Sequence, residues 1–480
     1  MSELYKKASV TFIIKILGLG IGFAFQIILG RTLQAEIYGK YTMFITYANI
    51  INILIVLGMD RNLIKEVAKL SNKKIESFKL FKFALKMSSI LFLLISIFVL
   101  IFYRQLEITS DLVYLFLITL IIKAIICLVD GYLQGIGMVT KVTFFNVLFN
   151  NILKFVTFIM FFKIYNNGLY SAILSFIISE VICIVLRGVF IKRYNKGFIN
   201  TEFKISNETK RKFIKYSLTL VLISSIGIMM QNVDKLMITK FISFESVGIY
   251  KVVQNYVMLI GIFITPFIAF WPVISKLYGE NKILEIEVEM KKIVKIVTSM
   301  VIPMFFIFFF LNEKLLLIFG NQYVSYESKN VLLILSFAFL FDAISGPIGS
   351  ILNMTNYAKY ALINNVVCLV LNVVLNFIFI KMYGIIGVAI GTGISIIVNN
   401  LISIIEVKIL LGIFAYNFGN LIQIILFSLG NFILGSWLIQ IIKFQNLYIY
   451  IIAFSIVIYL VNFISLIFIN KKLILEKFDK

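Results

Sequence analysis

The 480 residues contain no histidine, 3 cysteines and 4 prolines. Without histidine the chain lacks the commonest metal ligand and the usual general base near neutral pH. Cys127, Cys183 and Cys368 all fall inside apolar runs, an odd set without metal-ligand spacing. They read as packing residues rather than as a disulfide or a metal site. No glycine-rich phosphate loop, metal-binding cluster or serine or cysteine beside a base is found, so the motif-borne enzyme chemistries are not expected. Charge is scarce as well, at 14% of residues against about 25% in soluble domains. Carboxylates are the rarer sign, 23 against 45 Lys and Arg.

What the chain has instead is apolar length. It is 61% hydrophobic with a mean hydropathy of +1.02. Its apolar runs are repeatedly around 20 residues long, enough to cross roughly 30 Å of hydrocarbon at 1.5 Å per residue. They do not alternate in the segments of about ten residues that a β-barrel needs. The fold class expected is therefore an all-α polytopic membrane protein with about 14 transmembrane helices. Spans are placed near 9–30, 41–59, 84–103, 112–134, 143–162 and 169–191, then near 214–238, 246–271, 292–312, 329–351, 359–380 and 384–407. A last pair lies near 419–441 and 447–469. The first run follows only Lys6 and Lys7, as a signal peptide would. It is long, no small-residue cleavage site follows it, and its polar turn recurs within the chain, so it is read as a span.

That recurrence organises the molecule. The stretch Gln26–Ala68 (QIILGRTLQAEIYGKYTMFITYANIINILIVLGMDRNLIKEVA) ends one apolar helix, turns and spans again. About 209 residues on, beginning at Asp234, DKLMITKFISFESVGIYKVV repeats the turn, with Arg31 on Lys240, Glu36 on Glu245, Gly39 on Gly248 and Tyr41 on Tyr250. Two six-helix lobes follow as parallel repeats, plus a C-terminal helix pair. The expected divisions are 1–195 for the first lobe, 196–213 for a basic linker, 214–410 for the second lobe and 411–480 for the last pair and tail.

Lysine and arginine set the expected orientation. Arg61–Lys86 carries 8 basic residues, Arg187–Lys215 carries 9, Lys276–Lys295 carries 5 and Lys471–Lys480 carries 4, while the alternate loops hold mostly single ones. The basic set is assigned to the cytoplasm, with both termini inside a bacterial cytoplasmic membrane. This placement argues against a nucleic-acid partner despite a formal charge of +22. The partly amphipathic Arg61–Lys82 is expected to lie along the anionic inner leaflet. All four prolines, Pro266, Pro272, Pro303 and Pro347, sit in or at spans of the second half, as kinks or hinges.

An ionised side chain near the bilayer centre costs roughly 2.5–3.5 kcal/mol on insertion scales and is a functional hypothesis by default. Lys123, Lys154 and Glu180 fall on three consecutive spans, each on the order of 15–18 Å from an edge. Glu180 is expected to pair one lysine and leave the other available. Asn146, Asn150 and Lys154 form an i, i+4, i+8 stripe. The stripe fits interhelical hydrogen bonding and a substrate pathway equally. On the first span Thr11, Lys15, Gly18, Gly22 and Gln26 share a face, where Lys15 can snorkel and the glycines can serve helix packing. The seventh span carries Ser217, Ser224, Gln231 and Lys235, and Asp234 and Lys235 with Lys251 make a charged cluster. Asp342 is placed mid-span on the tenth helix, with Asp130 and Glu406 near the inner interface. The deep charge favours lysine over carboxylate, which suits an anionic ligand.

At Gly30–Tyr41 and Leu57–Ala68 (LGMDRNLIKEVA) the sequence resembles the polysaccharide-biosynthesis flippases, the Wzx type of the multidrug/oligosaccharidyl-lipid/polysaccharide exporter superfamily. Asp234–Tyr250 is similar to that family's seventh-span exit. The resemblance implies two lobes in alternating access, moving an undecaprenyl-diphosphate-linked oligosaccharide from the inner to the outer leaflet for surface polysaccharide such as O-antigen. Polymerase and glycosyltransferase partners are implied with it, and no cofactor beyond an optional coupling Na+ or H+. The implied cavity would draw on Lys15, Gln26, Arg31, Lys123, Asn150, Lys154, Glu180, Gln231, Asp234, Lys235 and Lys251. That family's cavity usually carries arginine, whereas the deep cations read from these spans are all lysine. A cation-coupled multidrug exporter of the same superfamily is the rival reading, and it should rely on deep carboxylates. A membrane glycan polymerase or ligase would need large outside loops, which the spans do not leave.

Overall fold

The computed structural model describes residues 2–70, 73–196, 205–263, 270–414, 416 and 418–478. Among them there is no strand, and 13 helices are long and apolar enough to cross a membrane. The chain is an all-α, multi-pass membrane protein. It forms two compact units, Met1–Thr239 and Lys240–Lys480.

The first unit contains α1 (Ser2–Thr32), α2 (Ala35–Val56), α3 (Met59–Lys69), α4 (Lys74–Phe102), α5 (Ser110–Gly135), α6 (Val139–Thr143), α7 (Asn150–Tyr165), α8 (Gly168–Tyr194) and nearly all of α9 (Asn207–Phe241). Residues 197–204 of the expected linker lie outside the described residues, and its last part, from Asn207, is already the start of α9. Between α6 and α7, Phe144–Phe149 winds as a π-helix, so one nearly continuous span joins three helical pieces.

The short helix α3 shows how sequence becomes packing. Leu57 and Gly58 both take left-handed backbone (φ 47° and 67°), turning the chain out of α2 and into α3. Met59, Asn62, Leu63 and Val67 then lie on one buried face, while Arg61, Lys65 and Lys69 are exposed. The apolar face meets α5, where a Cβ built on Gly131 would stand 2.4 Å from the carbonyl oxygen of Asp60. Asn62 fastens the other side, donating to the Phe213 carbonyl at 2.8 Å and to Ser217 Oγ at 2.9 Å on α9. The expected leaflet-bound stretch Arg61–Lys82 is therefore not one surface element. Its apolar stripe is taken by α5, the chain is in α4 from Lys74, and what stays exposed is the basic side of α3 together with Lys73, Lys74, Ile75 and Glu76. Gly131→Val, which must push Asp60 backbone, is expected to cost about 1–3 kcal/mol by overpacking. A lowered thermal midpoint in nanodiscs checks it, and a midpoint equal to wild type would refute the α3–α5 contact.

The second unit runs through α10 (Phe244–Val257), α11 (Trp271–Gly279), α12 (Ile283–Phe319), α13 (Tyr326–Ser345), α14 (Ile348–Met354), α15 (Ala358–Leu411), α16 (Phe418–Ile441) and α17 (Leu447–Phe478). A reciprocal Ser325–Ser328 capping box starts α13, and the Gly346-Pro347 step ends it. Although α15 is 54 residues long, Gly384 breaks it (φ 56°, ψ −133°). Asn372 Nδ2 reaches Thr392 Oγ1 at 3.0 Å and Asn364 Nδ2 reaches Glu406 at 2.6 Å, so the halves run antiparallel as a hairpin turning on one residue. These halves are the spans placed near 359–380 and 384–407. The last two helices pair through a reciprocal Asn431–Asn462 amide contact (2.9 and 2.7 Å), and Gln423 donates to the Lys295 carbonyl of α12 at 3.1 Å.

Of the prolines, Pro266 lies outside the described residues. Pro272 opens α11, Pro347 precedes α14, and only Pro303 is inside a helix. The non-helical residue of α12 is Leu311 (φ −110°, ψ 16°), eight positions beyond Pro303.

Candidate functional site

Three helices of the first unit carry their ionisable groups on facing stripes. On α5 these are Lys123, Cys127 and Asp130, spaced i, i+4, i+7. On α8, Phe176, Glu180, Cys183 and Arg187 follow at helical spacing. Asn150 and Lys154 come from α7, and Asn146 from the π-helical turn before it.

The stripes meet in two layers. In the first, Lys154 Nζ stands 3.2 Å from Glu180 Oε1, which also accepts from Asn150 Nδ2 at 2.8 Å. Lys123 donates to Asn49 Oδ1 of α2 at 2.6 Å. Both ammonium groups lie over one ring, that of Phe176, at 5.0 Å for Lys123 and 4.6 Å for Lys154. Glu180 thus pairs one lysine, while no carboxylate among the described residues is within ion-pair distance of the other.

The sequence names two members of the second layer, Asn146 and Asp130, but not the third, Arg187. Arg187 is 0% exposed, ion-paired to Asp130 at 3.4 Å and bonded through Nη2 to Asn146 Oδ1. Asn146 Nδ2 in turn donates to Asp130 Oδ2 at 2.6 Å. The expectation that the buried cations are all lysine is corrected here. Arg187 was counted with the basic run that follows it, but α8 continues to Tyr194 and keeps it inside the bundle. Its spacing of seven from Glu180 was the available signal. The Asn146–Asn150–Lys154 stripe consequently serves two layers, its first residue bound to Asp130 and Arg187 and its other two to Glu180.

Together the layers hold three cations, Lys123, Lys154 and Arg187, against two carboxylates, Asp130 and Glu180. The first layer, two half-buried ammonium groups against one carboxylate with amides and the Phe176 ring around them, can hold an anionic group.

The remaining expected site residues lie elsewhere. On α1, Thr11 bonds Thr140 at 2.9 Å, and Asn151 Nδ2 donates to the Gly18 carbonyl at 2.9 Å. A Cβ on Gly18 would come within 2.6 Å of Val147 backbone, so this face is largely a helix contact. Lys15 is half-buried on it. Gln26 accepts from Tyr38 Oη at 2.6 Å, closing the first turn, and Arg31 is exposed in the last turn of α1. On α9, Gln231 is exposed whereas Asp234 and Lys235 are buried. Lys251 is half-buried on α10.

In the second unit Asp342 accepts from Asn400 Nδ2 at 2.8 Å beside a cavity of about 250 Å³. It was placed mid-span, but α13 stops at Ser345, which puts Asp342 in the last turn.

The fold defines a polytopic α-helical membrane protein whose first unit holds ionisable groups inside its helix bundle. The polysaccharide biosynthesis protein family model matches residues 4–278, more than half of the chain, and the chain belongs to that family. The MatE family model matches residues 220–378. The chain is 27% identical over 201 residues to the probable low-salt glycan biosynthesis flippase Agl15 of Haloferax volcanii, covering 42% of each chain. It is 26% identical over 250 residues to the capsular polysaccharide biosynthesis protein CapF of Staphylococcus aureus, 51% of this chain and 61% of that one. The matches thus span about two fifths to three fifths of these relatives' lengths. The fold is shared with the lipid II flippase MurJ in an inward closed conformation (TM-score 0.75, 17% identity, 98% of this chain and 100% of that one). It is shared also with an inward-facing multidrug resistance MATE family transporter (TM-score 0.66, 16% identity, 83% and 98%).

Proposed function

We propose that this protein carries a lipid-linked oligosaccharide with a diphosphate headgroup from the inner to the outer leaflet of a bacterial cytoplasmic membrane, by alternating access of two lobes. The observation that carries the reading is the Lys123–Phe176–Lys154 arrangement with its single Glu180 partner, a buried cationic site in a chain of the polysaccharide biosynthesis family. Diphosphate oxygens accept from ammonium donors, and the reaction is a movement without bond making or breaking. Undecaprenyl is the lipid proposed, with polymerase and glycosyltransferase partners supplying and consuming the cargo. No nucleotide is needed. Moving a headgroup of charge −2 outward across an inside-negative membrane releases roughly 4.6 kcal/mol per 100 mV, twice the 2.3 per charge. A coupling Na+ or H+ is compatible with this and not required by it.

The test is depletion of the protein followed by leaflet-resolved labelling of undecaprenyl-diphosphate glycans. Accumulation on the inner leaflet with loss of surface polymer is expected, and the accumulated species gives the saccharide's mass. The MatE match over residues 220–378 favours one other reading, a cation-coupled multidrug exporter. An unchanged glycan pool with increased drug sensitivity would establish that reading and reject the first.

A further inference from the structure

The internal repeat places a second charged layer in the second unit, and that layer lacks a member. Asp130 and Arg187 lie on the fourth and sixth spans of the first half. Asp342 and Asn400 lie on the fourth and sixth spans of the second, 212 and 213 positions later, close to the 209 of the duplicated turn. Each acid sits in the last two turns of its helix. In the first unit the acid is met by the guanidinium of Arg187, with Asn146 bridging both. In the second, an asparagine stands where the arginine would be. Asn400 donates to Asp342 at 2.8 Å, and among the described residues no ion pair includes Asp342.

Where the arginine side chain is missing, the unit is hollow. The cavity of about 250 Å³ is lined by Trp271, Asp342, Ser350, Asn353, Asn399 and Asn400. Its unmet groups are acceptors, since Asn399 Oδ1 is buried without a donor and Asp342 holds one amide. Glu406 adds a second carboxylate nearby, bonded to Asn364, which is itself 3.4 Å from the cavity-lining Ser403. A buried carboxylate needs a cation or several donors to remain ionised.

We propose that this cavity is a binding site for a small organic monocation of the guanidinium or primary-ammonium type. The bound cation supplies from outside the chain what Arg187 supplies within the first unit. Three observations select that class. The first copy of the layer holds a guanidinium at the corresponding place. The volume exceeds what a bare inorganic ion would occupy, and an indole forms part of the wall, a surface that attracts organic cations. The chemistry is shared by soluble amines and by amine-bearing lipid headgroups. The proposal stands apart from the cargo reading, because it concerns the second unit alone.

The test uses the full chain in nanodiscs, with methylguanidinium and ethylammonium as probes and sodium and potassium as controls. Calorimetry and thermal shift are expected to show saturable binding of the organic cations and no comparable effect of the inorganic ones. Asp342→Asn should weaken binding at least tenfold. Asn400→Arg should abolish binding while keeping a thermal midpoint at or above wild type, because its guanidinium fills the cavity and meets Asp342. With binding in hand, competition by phosphatidylethanolamine discs but not phosphatidylglycerol discs would support the proposal with a headgroup as source. Equal binding in both would support it with a soluble amine. Absence of organic-cation binding, sodium binding as strongly, or undiminished binding by Asp342→Asn would overturn it.

Discussion

Replacing Arg187 by alanine is expected to destabilise the folded chain by about 3–5 kcal/mol, the range for removing one member of a buried ion pair. The side chain is fully buried, and Asp130 beside it keeps only the Asn146 amide when the guanidinium is gone. A carboxylate left inside the bundle must either remain charged without a counterion or take up a proton, and both cost free energy. Arg187→Lys should recover part of the loss, because a point charge cannot hold Asp130 and Asn146 together as a planar fork does. Removing both charges, as Arg187→Met with Asp130→Leu, should be milder than Arg187→Ala, since no stranded carboxylate remains. Unfolding midpoints in nanodiscs of wild type, Arg187→Met, Asp130→Leu and the double variant, arranged as a cycle, measure the coupling. A single Arg187→Ala protein as stable as wild type would show that the layer carries no such weight.

The second large effect is on transport. Lys123→Ala and Lys154→Ala, made singly, are each expected to lower export of surface polymer at least tenfold, a change of about 1.4 kcal/mol in the limiting barrier. The two should differ in stability. Lys154 neutralises Glu180, so its removal strands a buried carboxylate that keeps only Asn150. Lys123 is bonded to the neutral Asn49, so its loss strands no charge. The Lys123 variant should therefore stay close to wild type in thermal midpoint, while the Lys154 variant falls. Initial flipping rates, normalised to folded protein in the membrane, separate the effects. Wild-type rates from both variants would remove these lysines from the pathway.

The spans were legible in the sequence because each needs only one property, a run of apolar residues long enough for the bilayer. Gly384 illustrates how fine that reading can be, since the second of the two spans read within this one 54-residue helix begins at it. The lysines and Glu180 were legible because a charge in such a run contradicts its surroundings. Arg187 was not, because it stands against a basic stretch, where charge is the rule. Its burial is decided by Asp130 and Asn146 on other helices. The same limit applies to α3, whose apolar stripe announces a partner without saying whether that partner is lipid or α5. Asp342 was misplaced for a local reason, the Gly346-Pro347 step that ends its helix early. The π-helical turn at Phe144–Phe149 has no simple sequence mark.

The one-residue turn at Gly384 also bears on how the chain is made. Asn364, Asn372 and Asn376 on the first arm are all buried, and Thr392, Ser403 and Glu406 on the second arm supply partners for Asn364 and Asn372. A ribosome that has delivered only the first arm has therefore synthesised a span whose amides lack those partners, and an unsatisfied polar group in hydrocarbon costs several kcal/mol. With no intervening loop to let one arm settle before the other arrives, the favourable course is for both arms to leave the insertion machinery together. Residues 358–411 are in this way expected to enter the bilayer as one hairpin rather than as two successive spans.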